Sequence, residues 1–438
     1  MTQNINSVLK EVLERVEPTK EELKHIRNLL EGFIKKLRKN IRIQKINAEI
    51  FVGGSFAKAT VIRKDHYDID IFIRFDKKYK NISDLTKKIL GRQKFIKIHG
   101  SRDYFKIKAS EDLFFEIIPV KKIKTPREAE NITDLSYSHV KYIKRKIKSE
   151  KILDDIRLAK AFCYGNNCYG AESYVNGFSG YALELLIYHY GSFPKFLCAI
   201  TKIKDRQKAK PLAKLSKLGQ FKEIIDIEKH HKNKQQILMN INAAKLGSPI
   251  VLIDPTYKQR NALAALSYET FRKFQRACRN FLKNPTIKAF EIKKIDFEKV
   301  RKDARRRGYE FILLEVRTKK QEGDIAGSKL LKFYKHLGNE IEKYFEVKDR
   351  GFEYGGKKSA KYFFTVKKKP ELLIRGPLES QKEHVKEFKK KYKKVFIKNN
   401  RLYTKQKLNF TLKTFIKNWK KKHTQKIKDM SITELRVF

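Results

Sequence analysis

FVGGSFAKATVIRKDHYDIDIFIRF, residues 51–75, decides how the chain folds at its start. AEIFV (48–52) reads as a strand, Gly53-Gly54-Ser55 as a turn, and the residues after it as a short helix. IDIFIRF (69–75) is a second strand whose near-continuous apolar run implies cover on both faces. A Gly-Ser turn presents backbone N–H groups and a hydroxyl to a triphosphate. Asp68 and Asp70, two apart on a strand, share a face that Ile69 and Ile71 avoid. Two convergent carboxylates suit Mg²⁺ held against phosphate oxygens. The combination points to nucleotidyl transfer.

An isolated Asp-x-Asp is more often a solvated strand end, so the context carries the reading. A two-metal site needs a third acid from a neighbouring strand. LFFEIIPV (113–120) supplies Glu116, a single acid inside an apolar run, with Glu111 and Asp112 as the next candidates.

With 438 residues the chain has room for roughly two to four domains. No apolar run reaches the length that spans a bilayer. The opening MTQNINSVLKEVLERV is amphipathic and contains acids, unlike a signal or transit peptide, so the cytoplasm is the expected compartment. Cys163, Cys168, Cys198 and Cys278 lack the paired spacing of a zinc site and read as buried free thiols. Lys plus Arg number 102 against 49 Asp plus Glu, a formal net charge of +53. An enzyme of small metabolites has no use for that field; a polyanion does, through phosphate contacts and counterion release. Many of these lysines will simply solvate helix faces, but the excess is densest in the C-terminal half, in KEFKKKYKKVFIK and NWKKKHTQKIK.

Val8 to Val16 predicts a short helix stopped by Pro18. Thr19 and Glu22 form a capping box for a second helix with Leu23, Ile26, Leu30, Phe33 and Leu37 as its buried stripe. The sheet follows to about Lys122. Ser136 to Phe281 is mainly helical, with 202–245 as a basic surface insertion. Beyond Pro285, Asp296 caps a basic helix, 309–317 is a strand, 325–345 a helix, and KYFFTV and ELLIRGP two more strands. From Ser380 onward basic helices alternate with Phe388, Tyr392, Phe396, Tyr403 and Trp419. Such aromatics either stack bases or form the core of a small basic domain.

These residues resemble the archaeal (class I) CCA-adding enzymes, tRNA nucleotidyltransferases of the DNA polymerase β-like superfamily. The resemblance spans nearly the whole chain: VGGSFAKAT with YDIDIF, then YGAESYVNGFSGYALELLIYHYGSF, then IDPTYKQRNALAALS. It implies an α+β multidomain fold with a catalytic head at 1–135, a helical neck selecting the nucleotide at 136–283, and an α+β body and basic tail binding tRNA at 284–438. The implied activity is template-independent addition of C, C and A to tRNA 3′ ends from CTP and ATP, with Mg²⁺ as cofactor. A homodimer is among the assemblies it permits.

Residue by residue, the resemblance places Ser55 and Lys58 on the triphosphate, Asp68, Asp70 and Glu116 on Mg²⁺, and His139, Lys160 and Tyr169 around the nucleotide. Arg260 falls where an arginine takes part in selecting the base. Three positions depart from the pattern. Glu116 stands where the family usually has Asp, Lys58 where it has Arg, and Asn176 where a basic residue is expected, so Asn176 is assigned no phosphate contact. Rival readings are another RNA terminal nucleotidyltransferase, such as a poly(A) or uridylyl polymerase, and a tRNA-binding protein with a decayed active site.

Overall fold

The computed structural model describes residues 4–100, 102–203 and 223–438. It opens on α1 (Ile5–Val16), capped by the Asn4 side chain three residues earlier than the apolar pattern suggests. The capping box then closes as expected. Thr19 Oγ1 accepts from the Glu22 N–H at 3.1 Å, the Glu22 carboxylate accepts from the Thr19 N–H at 2.6 Å, and α2 (Lys20–Ile43) starts there. Ile26, Leu30, Phe33, Leu37 and Ile41 are buried along α2, while Leu23 is half-buried. Each fully buried side chain of this kind contributes about 1.5–3 kcal/mol of transfer free energy.

That stripe lies on a mixed five-stranded sheet. Its strands are β1 (Ala48–Val52), β2 (Tyr67–Phe75), β3 (Ile96–Ile98), β4 (Tyr104–Lys108) and β5 (Leu113–Lys121), in the order β1-β2-β5-β4-β3. One turn of helix, α3 (Gly54–Ala57), follows β1, and α4 (Ile82–Leu90) joins β2 to β3. β2 and β5 pair in parallel and the other neighbours are antiparallel. Ile69, Ile71, Ile73, Phe105, Phe115 and Ile117 form the core beneath the sheet with the α2 stripe.

A second core holds the helices α5 (Ser136–Lys146), α6 (Glu150–Gly165), α7 (Gly180–Tyr190), α8 (Phe193–Lys202) and α10 (Tyr268–Lys283). Between α8 and α10 lie α9 (Lys234–Asn240) and a small sheet, β6 (Ile224–Ile225), β7 (Val251–Asp254) and β8 (Tyr257–Asn261). Much of the basic segment 202–245 lies outside the described residues. Val8, Leu9 and Val12 of α1 pack in this helical core, so the first helix belongs with these helices rather than with the sheet. Cys163, Cys168 and Cys278 are buried as expected; Cys198 is exposed, on the outer face of α8.

The chain divides into two compact units, Met1–Lys293 and Lys294–Phe438. Residues 284–293 belong with the first because Phe290 packs 5.3 Å from both Phe162 and Phe281. The boundary therefore falls ten residues beyond the one the sequence suggests.

In the second unit Asp296 caps α11 (Phe297–Arg306), as its side chain predicts. β9 (Glu310–Thr318), α12 (Asp324–Glu342), β10 (Phe345–Tyr354) and β11 (Ser359–Lys368) follow. The helix expected over 325–345 stops at Glu342, and Phe345 opens a strand the sequence hid. β10 is an edge strand, so its charged positions face water and break the apolar signature. The last segment is likewise more than basic helices. β12 (Glu371–Leu378), β13 (Val395–Lys398) and β14 (Arg401–Lys407) form a three-stranded sheet with α13 (Lys382–Lys391) against it. α14 (Leu412–Lys422) and α15 (Thr424–Asp429) then lead to β15 (Ile432–Val437), which pairs with β9. Leu412, Ile416 and Trp419 are buried in the core of this unit, so Trp419 is no stacking platform.

Candidate active site

Two glycines set the turn after β1. Gly54 has φ +61°, and a Cβ there would strike the Asp70 carboxylate; a Cβ on Gly53 would strike the Phe72 ring. The Gly53 N–H donates to Asp70 O at 2.9 Å, tying the turn to β2 beside the two acids. Ser55 is the second residue of α3, which Gly53 caps at its start and Lys58 at its end.

Asp70 stands opposite Glu116 in the β2–β5 register, and Glu116 stands opposite Lys106 in the β5–β4 register. Three adjacent strands thus lay Asp70, Glu116 and Lys106 in a row, with Asp68 two residues earlier on the same face. Lys106 Nζ lies 2.6 Å from Asp68 Oδ1 and 3.5 Å from Glu116 Oε1. Burial raises the Asp70 carboxyl to about 6; Lys58 opposes the shift and Asp68 adds to it. Burial, then the charges of Asp70 and Asp68, push Glu116 up to about 7 against the pull of Lys106. Among the described residues no three acidic, histidine or cysteine side chains close into a metal cage. The three acids share a face, and the Lys106 ammonium sits between Asp68 and Glu116.

Behind the turn lies a buried ionic network. Lys58 Nζ donates to Glu184 Oε2 at 2.6 Å, and Lys160 Nζ donates to Glu184 Oε1 at 3.1 Å. Thr60 Oγ1 donates to Glu184 Oε1 at 2.9 Å and accepts from Lys160 at 2.7 Å. Thr60 and Glu184 are fully buried and Lys160 is 2% exposed, so Lys160 is not the solvated helix residue its charge alone would suggest. Burial opposes ionisation of Glu184, but the two ammonium groups outweigh it and hold the carboxyl below its usual range. Burial lowers Lys160 to about 8, against the attraction of Glu184. Tyr169 stacks on Tyr164 with centroids 4.1 Å apart, and a Cβ on Gly180 would meet its hydroxyl at 2.8 Å.

A third cluster gathers on Asp254 at the end of β7. His139 Nε2 lies 3.0 Å from its Oδ2, Arg260 Nη1 donates to the same oxygen at 2.6 Å, and the Tyr181 hydroxyl donates to Oδ1 at 3.0 Å. The His139 and Tyr181 rings stack at 4.0 Å. Burial lowers the histidine, with Asp254 opposing; burial works against the Asp254 carboxylate, yet His139 and Arg260 hold it well below the usual range. Lys58 Nζ lies 6.0 Å from the Tyr181 ring and so links this cluster to the Glu184 network.

All nine residues singled out from the sequence therefore lie in the first unit, distributed over these three groups. Lys106, Glu184, Tyr181 and Asp254 went unread. Two of them, Glu184 and Asp254, are single charges in apolar runs, GYALELLIY and IVLID, the same signal that marked Glu116; Lys106 alternates with Lys108 in YFKIK and carries no such mark.

A family model described as tRNA nucleotidyltransferase, second domain, matches residues 154–291. A CCA-adding enzyme of Nanoarchaeum equitans is 34% identical over 395 residues, covering 88% of this chain and 90% of that one. A CCA-adding enzyme of Methanocaldococcus jannaschii is 30% identical over 412 residues, covering 91% and 87%. A mutant Cid1 poly(U) polymerase bound to MgATP has a TM-score of 0.50 at 10% identity, over 66% of this chain and 99% of its own, a likeness of fold.

Proposed function

This chain belongs to the CCA-adding enzymes, and from that premise we propose that it adds C, C and A in turn to the 3′ end of tRNA, drawing on CTP and ATP without a template. The observation that carries the reading is the face shared by Asp68, Asp70 and Glu116 beside the Gly53–Ser55 turn. The residues fit a hard divalent cation. The donor set is all carboxylate oxygen, burial and then neighbouring negative charge raise Asp70 and Glu116, and a lysine ammonium is already drawn between Asp68 and Glu116. Asp68, Asp70 and Glu116 are the residues that would hold Mg²⁺, which when bound lowers the pKa of the attacking hydroxyl and neutralises the triphosphate.

The chain's own groups supply the rest. The turn brings the Ser55 hydroxyl to the triphosphate. Lys58 and Lys160, fixed in place by Glu184, put positive potential behind it. The 3′-hydroxyl oxygen of the RNA bonds to the α-phosphorus, the α–β bridging bond breaks, and pyrophosphate leaves with its electron pair. No protein base is assigned to the hydroxyl proton. Arg260, oriented by Asp254, presents its remaining guanidinium donors to the base edge; His139 gives its Nε2 proton to Asp254 and is left with Nδ1 as an acceptor, with Tyr181 and Tyr169 as apolar walls. The second unit offers exposed lysines for the tRNA backbone.

The test is to offer labelled CTP, ATP, UTP and GTP separately to tRNA that lacks its CCA end. CTP alone is expected to add two CMP per tRNA, and ATP to add one AMP only to tRNA that already carries both, with UTP and GTP left out. Long runs of a single nucleotide would overturn the assignment in favour of a tailing polymerase.

A further inference from the structure

Lys106 places an ammonium between two acids of the catalytic face. Along β4 the residues Phe105 and Ile107 are buried in the core, which turns Tyr104, Lys106 and Lys108 to the opposite face. The register puts Lys106 directly opposite Glu116. Its ammonium lies 2.6 Å from Asp68 Oδ1, 3.5 Å from Glu116 Oε1 and 4.6 Å from the centroid of Phe114, a β5 residue that supplies a π face. The side chain is 22% exposed, unlike the solvated lysines of α13.

Resting on the metal reading above, we propose that Lys106 is a built-in counter-cation that competes with divalent ions for Asp68 and Glu116 and so sets the concentration at which this face takes metal. A carboxylate oxygen that accepts an ammonium at 2.6 Å is not free to meet Mg²⁺ at the roughly 2.1 Å this ion demands. Two cations crowded onto one carboxylate pair also repel strongly. The ammonium must therefore withdraw as the ion arrives, and metal affinity is reduced by the strength of its hold. The length of Glu116 has a function in this arrangement. Its carboxylate reaches to 3.5 Å from the Lys106 ammonium on the neighbouring strand, so the acid and the lysine form one device.

The experiment is direct titration of the full chain with Mn²⁺, free ion followed by electron paramagnetic resonance, without nucleotide or RNA. Lys106→Met keeps the stem against Phe114 and removes the charge. It is expected to bind Mn²⁺ about tenfold or more tightly than wild type, the scale on which a neighbouring like charge shifts binding of a cation. Lys106→Arg retains the charge and is expected to stay within about threefold of wild type. Lys106→Gln, which keeps a donor without charge, should tighten binding as Met does and serves where Met unfolds the head. Asp68→Asn identifies the site by losing the binding. Met and Gln variants that bind Mn²⁺ no more tightly than wild type would overturn the proposal. Because the readout needs neither tRNA nor nucleotide, failure of the CCA assignment would leave this result standing by itself.

Discussion

Asp70 and Glu116 stand opposite one another in the parallel register of β2 and β5, one strand spacing apart, and each is driven above its ordinary carboxyl range by burial and by the charges beside it. Such crowding disfavours a purely structural role, since a fold gains nothing from half-buried acids that repel each other. A cation recovers that cost.

Asp68→Ala and Asp70→Ala are each expected to lower CMP incorporation about 10³-fold or more, because several kcal/mol of transition-state charge stabilisation goes with the acid. tRNA affinity should change little, being dominated by phosphate contacts elsewhere. Single-turnover incorporation and filter binding on the same preparations separate the two effects. Substantial incorporation by both variants would remove these residues from the chemistry.

Glu116 offers a finer test. Glu116→Gln removes the anionic oxygen and should cost activity heavily. Glu116→Asp restores the usual family acid on a strand pair built around the longer side chain, so partial activity with a raised Mg²⁺ midpoint is expected. A Gln variant with wild-type rate and midpoint would make Glu116 structural.

Lys160 carries a pH signature. Burial lowers its ammonium from the usual lysine value to about 8, with Glu184 opposing. The charge is present below about pH 8 and lost above it. If that charge faces the triphosphate, kcat/KM for CTP should fall through the region above about pH 8, and Lys160→Arg, which stays charged, should move the alkaline limb upward. A pH profile unchanged by the arginine would show that Lys160 only braces Glu184.

Much of this was legible in the sequence because its signals are local. The capping box at Thr19, the strands around Gly53–Ser55 and the cap at Asp296 depend on residues within a few positions of one another, and each forms as read. β10 and β15 were not legible, since edge strands alternate with charge and draw stability from distant partners. The same holds at the site. Asp68 and Asp70 announce themselves by spacing. The pairing of Lys58 with Glu184 is made by packing the five-stranded sheet's first turn against α7, and no spacing encodes it. Lys58 and Lys160 were placed on the nucleotide without their common anchor.

Asp254 should govern base selection through the groups it holds. Asp254→Asn leaves His139, Tyr181 and Arg260 with a neutral, half-donor partner and removes the strongest acceptor from the guanidinium. A hydrogen bond of this charged kind is worth about 1.5–3 kcal/mol. Discrimination of CTP over UTP is therefore expected to fall roughly 10- to 100-fold, with a smaller effect on tRNA binding. Competition of labelled CTP and UTP measures it. Intact selectivity in a folded variant would place the discrimination elsewhere, in the RNA end itself.

The basic C-terminal part calls for substitution rather than removal. β15 pairs with β9, and Leu412, Ile416 and Trp419 fill the core of the second unit, so cutting the chain at Ser380 would open that core instead of trimming a tail. α13 can be altered without that damage. None of its residues is buried, and Lys389, Lys390 and Lys391 end the helix in water. Their exposure admits two roles, solubility or a grip on phosphates, and salt separates them. If the three grip the tRNA backbone, replacing all three by Gln should weaken binding and flatten the slope of log K against log salt. The change is up to about 0.9 for each phosphate that is no longer neutralised. Incorporation at saturating tRNA should persist, because these lysines lie in the other unit from Asp68 and Asp70. An unchanged affinity with an unchanged slope would mean that the lysines solvate a helix face and that the RNA is held by other cations of the chain.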